Sequence, residues 1–138
     1  MELTFDLLLE PVPQGRPRVT YRNGRVWTFY SDAVVAAKEA IRAQVLKYQD
    51  YFPKHLPLSL TVTTYRHRSP YLPKREVLPF RRADLDNEIK LIIDAMNGVV
   101  FPDDAAITTI IASKRYTDAP SNNGHIVIAI REDTDGRG

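Results

Sequence analysis

Two groups of carboxylates flank one apolar-periodic segment. Asp84-Leu85-Asp86-Asn87 stands where a basic stretch gives way to regular structure, and Asp103-Asp104 stand just past the segment's end. Lys90 follows Asp86 by four residues, which puts both on one face of a helix. A helix from Leu85 to Asn97 is roughly 20 Å long, so the second acidic pair reaches the first only if the chain turns back along it after Gly98. If it does, three or four carboxylates converge beside a basic loop, an arrangement that needs a cation between them. An all-oxygen donor set of this kind suits Mg²⁺, with Mn²⁺ able to substitute. Such an ion activates water and neutralises charge in an in-line displacement at phosphorus, and Lys90 could set a positive charge against the phosphate. The plainer reading makes Asp84 an N-cap, pairs Asp86 with Lys90 and the helix dipole, and leaves Asp103-Asp104 as a turn or cap.

Other chemistries fit less well. Glu88-Ile89-Lys90 after an upstream Asp mimics the acid-x-Lys pattern of restriction-type nucleases, which relies on strand alternation to aim both side chains at one metal. On a helix, residues two apart diverge by about 200°, so the match reads as accidental and Glu88 is expected in solvent. His55, His67 and His125 lack zinc-ligand spacing, and no Gly-rich phosphate loop or Ser nucleophile elbow occurs. The absence of Cys removes thiolate chemistry and disulfide scaffolds.

The net charge of +2 hides a segregation. From Pro11 to Ser31 there are four arginines, Arg16, Arg18, Arg22 and Arg25, and no acid. From Tyr65 to Ala83, Arg66, Arg68, Lys74, Arg75, Arg81 and Arg82 face Glu76 alone. Aromatics interleave both stretches: Tyr21, Trp27, Phe29 and Tyr30 in the first, Tyr65, Tyr71 and Phe80 in the second. Guanidinium groups bind phosphate bidentately and rings cover bases or sugars, so a nucleic acid is the favoured partner over two merely solvated loops.

The elements that must position these groups follow from periodicity. The 138 residues, 43% hydrophobic and 26% charged, suit one globular domain over 1–138 with a core of its own. Leu3, Phe5, Leu7 and Leu9 alternate with polar residues as a strand. Asn23-Gly24 sits between two β-prone runs, Val19–Arg22 and Arg25–Phe29, as a hairpin turn, giving a basic hairpin arm. Ser31 caps a helix whose apolar positions run from Val34 through Ile41, Val45 and Tyr48 to Phe52, ended by Pro53. Leu58, Leu60 and Val62 form a second main strand, and the stretch Pro70 to Pro79 is loop. Leu85, Ile89, Ile92, Ile93 and Met96 make a helical stripe stopped by Asn97-Gly98. Two last strands cover Ile107 to Tyr116 and Ile126 to Arg131, and 132–138 reads as a frayed tail. The order strand, hairpin, helix, strand, helix, strand, strand predicts an α+β fold, two helices layered on one face of a mixed sheet. No secretory signal follows Met1 and no apolar run spans a bilayer, which predicts a cytoplasmic location without membrane contact.

Taken as a set, Arg81-Arg82-Ala83-Asp84-Leu85-Asp86-Asn87, Lys90, Asp94-Ala95-Met96-Asn97-Gly98 and Phe101-Pro102-Asp103-Asp104 resemble the RusA family of Holliday-junction resolvases. The resemblance extends upstream to Pro11-Val12-Pro13-Gln14-Gly15-Arg16-Pro17-Arg18 and covers most of residues 3 to 131. Ala83 stands where many relatives continue a denser arginine run. The resemblance implies a small homodimer that cuts four-way DNA junctions with Mg²⁺ by paired symmetric nicks, without an organic cofactor. By motif position, Asp84, Asp86 and Asp104 would be the acidic metal-site residues, with Asp103 a neighbour of the matched acid, and Lys90 the catalytic cation. Arg16, Arg18, Arg66, Arg68, Arg81 and Arg82 would bind the DNA backbone. Two alternatives remain: a non-catalytic branched-DNA-binding module whose aspartates are caps and turns, and a metal-dependent hydrolase of nucleotides or small phosphate esters.

Overall fold

The computed structural model describes residues 1–81 and 84–134. Strict alternation at the N-terminus produces strand β1 (Glu2–Leu7), with Leu3, Phe5 and Leu7 buried and Glu2, Thr4 and Asp6 exposed. Leu8, the residue that breaks the alternation, turns out to solvent, and its backbone N–H and C=O both bond the Gln44 side chain. Next come β2 (Arg18–Arg22) and β3 (Arg25–Phe29), which pair only with each other. Asn23 and Gly24 at their turn have φ of 51° and 72°, the left-handed pair that a two-residue hairpin loop of matching twist demands.

Helix α1 (Asp32–Val45) starts at Ser31, whose hydroxyl oxygen accepts the Val34 N–H at 3.4 Å. It ends earlier than its apolar period suggests. A single 3₁₀ turn, Leu46–Tyr48, follows, and Asp50 takes a positive φ of 57°. From there the Asp50 and Phe52 N–H groups donate to Val99 and Val100 carbonyls at 2.7 and 3.2 Å. Phe52 is therefore buried like a helical core residue while lying outside the helix, because the chain returns it to the same core by another route.

The main sheet continues with β4 (Leu58–Arg66), β5 (Ile107–Tyr116) and β6 (His125–Glu132), and its spatial order is β1-β6-β4-β5. β6 pairs antiparallel with both β1 and β4, whereas β4 and β5 are parallel. Helix α2 (Leu85–Met96) lies in the crossover that a parallel pair requires. Ile126, Ile128 and Ile130 of the inner β6 meet Leu58, Leu60 and Val62 of β4 and the three buried residues of β1. Over them lie Val34, Ala37, Ile41 and Val45 of α1 and Ile89, Ile92, Ala95 and Met96 of α2. The architecture is thus α+β, two helices on a mixed four-stranded sheet with a separate hairpin, as the element order predicted. Truncating one of the fully buried Ile or Leu side chains to Ala would cost about 2–5 kcal/mol.

The start of the predicted frayed tail is instead held in place. Glu132 is the last residue of β6, and Asp133 donates its N–H to Pro57 while its carboxylate accepts the Thr108 and Thr109 hydroxyls, both at 2.6 Å. These bonds tie the strand end to the start of β5; the rest of the predicted tail, 135–138, lies outside the described residues. Among the described residues no helix is long and apolar enough to cross a membrane.

Candidate functional site

Helix α2 buries one face and presents another to a cleft beside β5. Asp86, Lys90 and Asp94 recur at intervals of four, hence in one line along that helix, and all three line the cleft together with Asp104. Its floor is apolar, built from Ile89 and Ile93 of α2 and Ile110 of β5, and the space measures about 680 Å³. Charged groups above such a floor are less screened than on an open surface.

Asp104 is fixed by the end of the helix. Gly98, at φ +77°, turns the chain, and its N–H donates to the Phe101 carbonyl at 3.0 Å. The Asn97 side-chain oxygen then accepts the Asp104 N–H at 3.0 Å, and the Asp103 carboxylate accepts that of Ala105 at 3.2 Å. A hydrogen bond that the protonated Asp104 carboxyl donates to the neighbouring Asp103 carboxylate, slight burial and the negative charges of Asp103 and Asp94 push the Asp104 carboxyl above its usual range. The chain therefore does turn back after Gly98, but it brings Asp104 to the Asp94 end. Asp86 stands eight residues away along α2, about 12 Å by helical rise.

Asp84 occupies the N-cap position of α2, makes no side-chain capping bond, is exposed, and does not line the cleft. Among the described residues, no three or more His, Cys, Asp or Glu side chains converge into a group that could hold a metal ion. What the cleft offers is two crowded carboxylates, Asp94 and Asp104, with Asp86 further along the same wall. That donor set fits a hydrated divalent cation, which needs only one or two carboxylates and completes its shell with water and phosphate oxygens. Asp94 was missed by sequence reasoning, although the repeat of the four-residue step from Asp86 through Lys90 was its signal. Lys38 of α1 lies 3.9 Å from the Asp94 carboxylate and 4.7 Å above the Tyr30 ring.

Glu88 corrects a second expectation. Diverging from Asp86 by about 200° places it on the opposite side of the helix, and that side is the sheet rather than solvent. The residue is 1% exposed. Its carboxylate accepts the Thr64 hydroxyl at 3.1 Å and faces the Arg66 guanidinium at 3.4 Å. Burial pushes its pKa above the usual carboxylate value, with Arg66, Thr64 and Lys114 pulling the other way.

The second basic stretch is organised by its one acid. Glu76 is buried, accepts the Tyr116 hydroxyl at 2.6 Å and pairs with Arg81 at 3.0 Å. Arg68 donates to the Glu76 and Pro73 carbonyls at 2.9 and 3.2 Å and lies over the Tyr116 ring. Of the arginines expected on DNA, Arg66 and Arg68 thus serve the fold directly, whereas Arg81 pairs with Glu76 while keeping most of its side chain exposed. Arg16 and Arg18 are exposed, and Arg82 lies outside the described residues.

His67 and His125, far apart in sequence, line one hollow with Asp6, Glu10 and Arg66. Their ring nitrogens donate to the Pro120 and Asn123 carbonyls at 2.8 and 3.1 Å, so each ring is held by backbone.

The sequence profile of the family described as "Endodeoxyribonuclease RusA" matches residues 9–131 of this chain. A protein of Bacillus subtilis (strain 168), described as "Uncharacterized protein YqaN", is 27% identical over 143 residues, covering 94% of this chain and 96% of that protein.

Proposed function

The chain belongs to the RusA endodeoxyribonuclease family, and from that premise we propose that it is a Mg²⁺-dependent endonuclease that resolves four-way DNA junctions as a homodimer. The observation that carries the chemistry is the line of Asp86, Lys90 and Asp94 facing Asp104 across one apolar-floored cleft. Asp94 and Asp104 would hold the ion, with Asp86 further along the same wall and Asp84 outside the cleft lining. When bound, the ion would lower the pKa of a coordinated water and neutralise charge on phosphorus oxygens. Lys90, in the middle of the line, takes the scissile phosphate and stabilises charge that grows on it in the transition state. The proximity of Asp94 and Asp104 in the cleft supports this assignment, and a carboxyl pushed towards protonation by Asp103 and Asp94 is relieved by a bound cation. A two-fold dimer would present one cleft to each of two symmetry-related strands, which is the requirement for paired nicks.

The test incubates the purified protein with an end-labelled mobile junction and a matched duplex, in Mg²⁺ or EDTA, beside Asp86→Asn and Asp104→Asn. Expected are symmetric Mg²⁺-dependent nicks in the junction alone, lost in both variants while junction binding persists. Tight binding without nicks in Mg²⁺ or Mn²⁺ would reduce the protein to a DNA-binding module. Hydrolysis of mononucleotides without junction preference would make it a phosphoesterase.

A further inference from the structure

The β2–β3 ribbon contributes no residue to the core, and every one of its strand residues except Thr20 is exposed. A chain that leaves nine of ten strand residues in water has kept them for a surface role. The register sorts them into two faces. Arg18 pairs with Phe29, Thr20 with Trp27 and Arg22 with Arg25, so three arginines and two aromatic rings share one face. Trp27 is 54% and Phe29 47% exposed. Arg22 and Arg25 stand directly opposite one another at the tip, a like-charge cross-strand pair that destabilises a ribbon unless an anion lies between them. No acid occurs from Pro11 to Ser31, so a second copy of the ribbon would be repelled.

The stem of the ribbon is tied to the helix of the cleft on both sides. Before it, the Gln14 N–H donates to the Asn87 carbonyl of α2 at 3.0 Å, and the Gln14 side chain is buried beside the Tyr30 hydroxyl. After it, Tyr30 lies under Lys38, which pairs with Asp94. Whatever the ribbon holds is therefore held at a fixed offset from Asp86, Lys90 and Asp94.

Resting on the nuclease reading, we propose that this ribbon recognises the branch itself, with Trp27 stacking on an unpaired or unstacked base while Arg22 and Arg25 clamp the adjoining phosphates. A ring can stack only on a base whose flat face is open. In continuous duplex those faces are covered by neighbouring pairs, and at a crossover whose arms are unstacked, as in EDTA, they are exposed. The ribbon thereby separates branched from linear DNA without reading sequence. Trp27, Arg22 and Arg25 are distinct from the metal-site acids and from the backbone-binding arginines expected from sequence.

Trp27 is the only tryptophan of the chain, so its emission reports on the ribbon alone. The experiment titrates the full chain in EDTA with a four-way junction, a single-stranded oligonucleotide and a matched duplex, following Trp27 emission. In parallel, labelled-oligonucleotide anisotropy is measured for W27A, W27F and the R22A/R25A pair. Junction and single strand should quench the emission strongly and duplex little. W27A should weaken both quenching ligands by about 5- to 150-fold with little change for duplex, and W27F should recover most of the loss. R22A/R25A should weaken all three DNAs and flatten the salt dependence by about two phosphate contacts. Junction binding and nicking by W27A at wild-type level, or equal quenching by duplex, would overturn the ribbon assignment and leave the nuclease reading standing. Absence of binding to any of the three DNAs would overturn both.

Discussion

Glu88 and Lys90 are two residues apart and have opposite fates, which makes them the sharpest probes of single side chains. The raised pKa of Glu88 means the folded chain binds its proton more tightly than the unfolded one. Stability from this group is therefore full below the unfolded carboxylate pKa and lost as pH rises through the raised value. Glu88→Gln removes that titration and keeps an oxygen for Thr64. The stability of the variant relative to wild type should rise as pH rises from about 4 to about 7, read from urea melts across that range. A relative stability that falls with pH would mean that attraction to Arg66 outweighs burial. Lys90, exposed in the cleft, carries no such load. Lys90→Ala should lower the nicking rate constant by about 10²–10³-fold while junction affinity in EDTA changes little. Equal losses in affinity and rate would make it a binding residue. Asp86, Lys90 and Asp104 were legible from residue type and spacing. The distance between the two acids was not, because it depends on how far one glycine-centred turn at Gly98 folds the chain back along α2.

Among the elements, the loop between β4 and α2 shows how a minority residue can govern a segment. By charge alone the stretch read as a basic loop suited to nucleic acid, with Glu76 its one acid. In the fold Glu76 gathers Tyr116, Arg81 and, through its carbonyl, Arg68, so the loop is pinned along β5. Glu76→Ala strips the half-buried Tyr116 hydroxyl of its acceptor, and should cost about 1 kcal/mol and speed tryptic cleavage at Lys74 and Arg75. Unchanged stability and cleavage would show the loop to be held by other contacts. Strands, hairpin and helix order were readable because each has a period that matches its burial. Asn23-Gly24 located its turn, and Ser31 located the start of α1. The end of α1 was not readable, because Phe52 continues a helical apolar period while reaching the core from a turn. Nor was the inward face of Glu88, since periodicity tells which residues oppose each other but not which side meets the sheet.

The molecule as a whole is a packed body carrying a detachable arm. Since residues 18–29 place nothing in the core, replacing them with a short Gly-Ser link between Pro17 and Tyr30 should shift the melting temperature by no more than about 4 °C. Junction affinity should fall sharply in the same protein. Loss of cooperative melting would show that the arm and body are one folding unit. The position of β6 has a different consequence. The last strand to be made lies between β1 and β4, so the first strand has no partner in the main sheet until the last has arrived. A chain stopped before His125 leaves Leu3, Phe5 and Leu7 without Ile126, Ile128 and Ile130, and circular dichroism of residues 1–124 should show no cooperative transition. Long-range closure of this kind slows folding to about the millisecond-to-second range. It also delays a settled cleft: until β6 has left the ribosome, the emerging polypeptide has arginines that can touch nucleic acid, while the sheet that carries α2 and β5 still lacks the strand that joins β1 to β4.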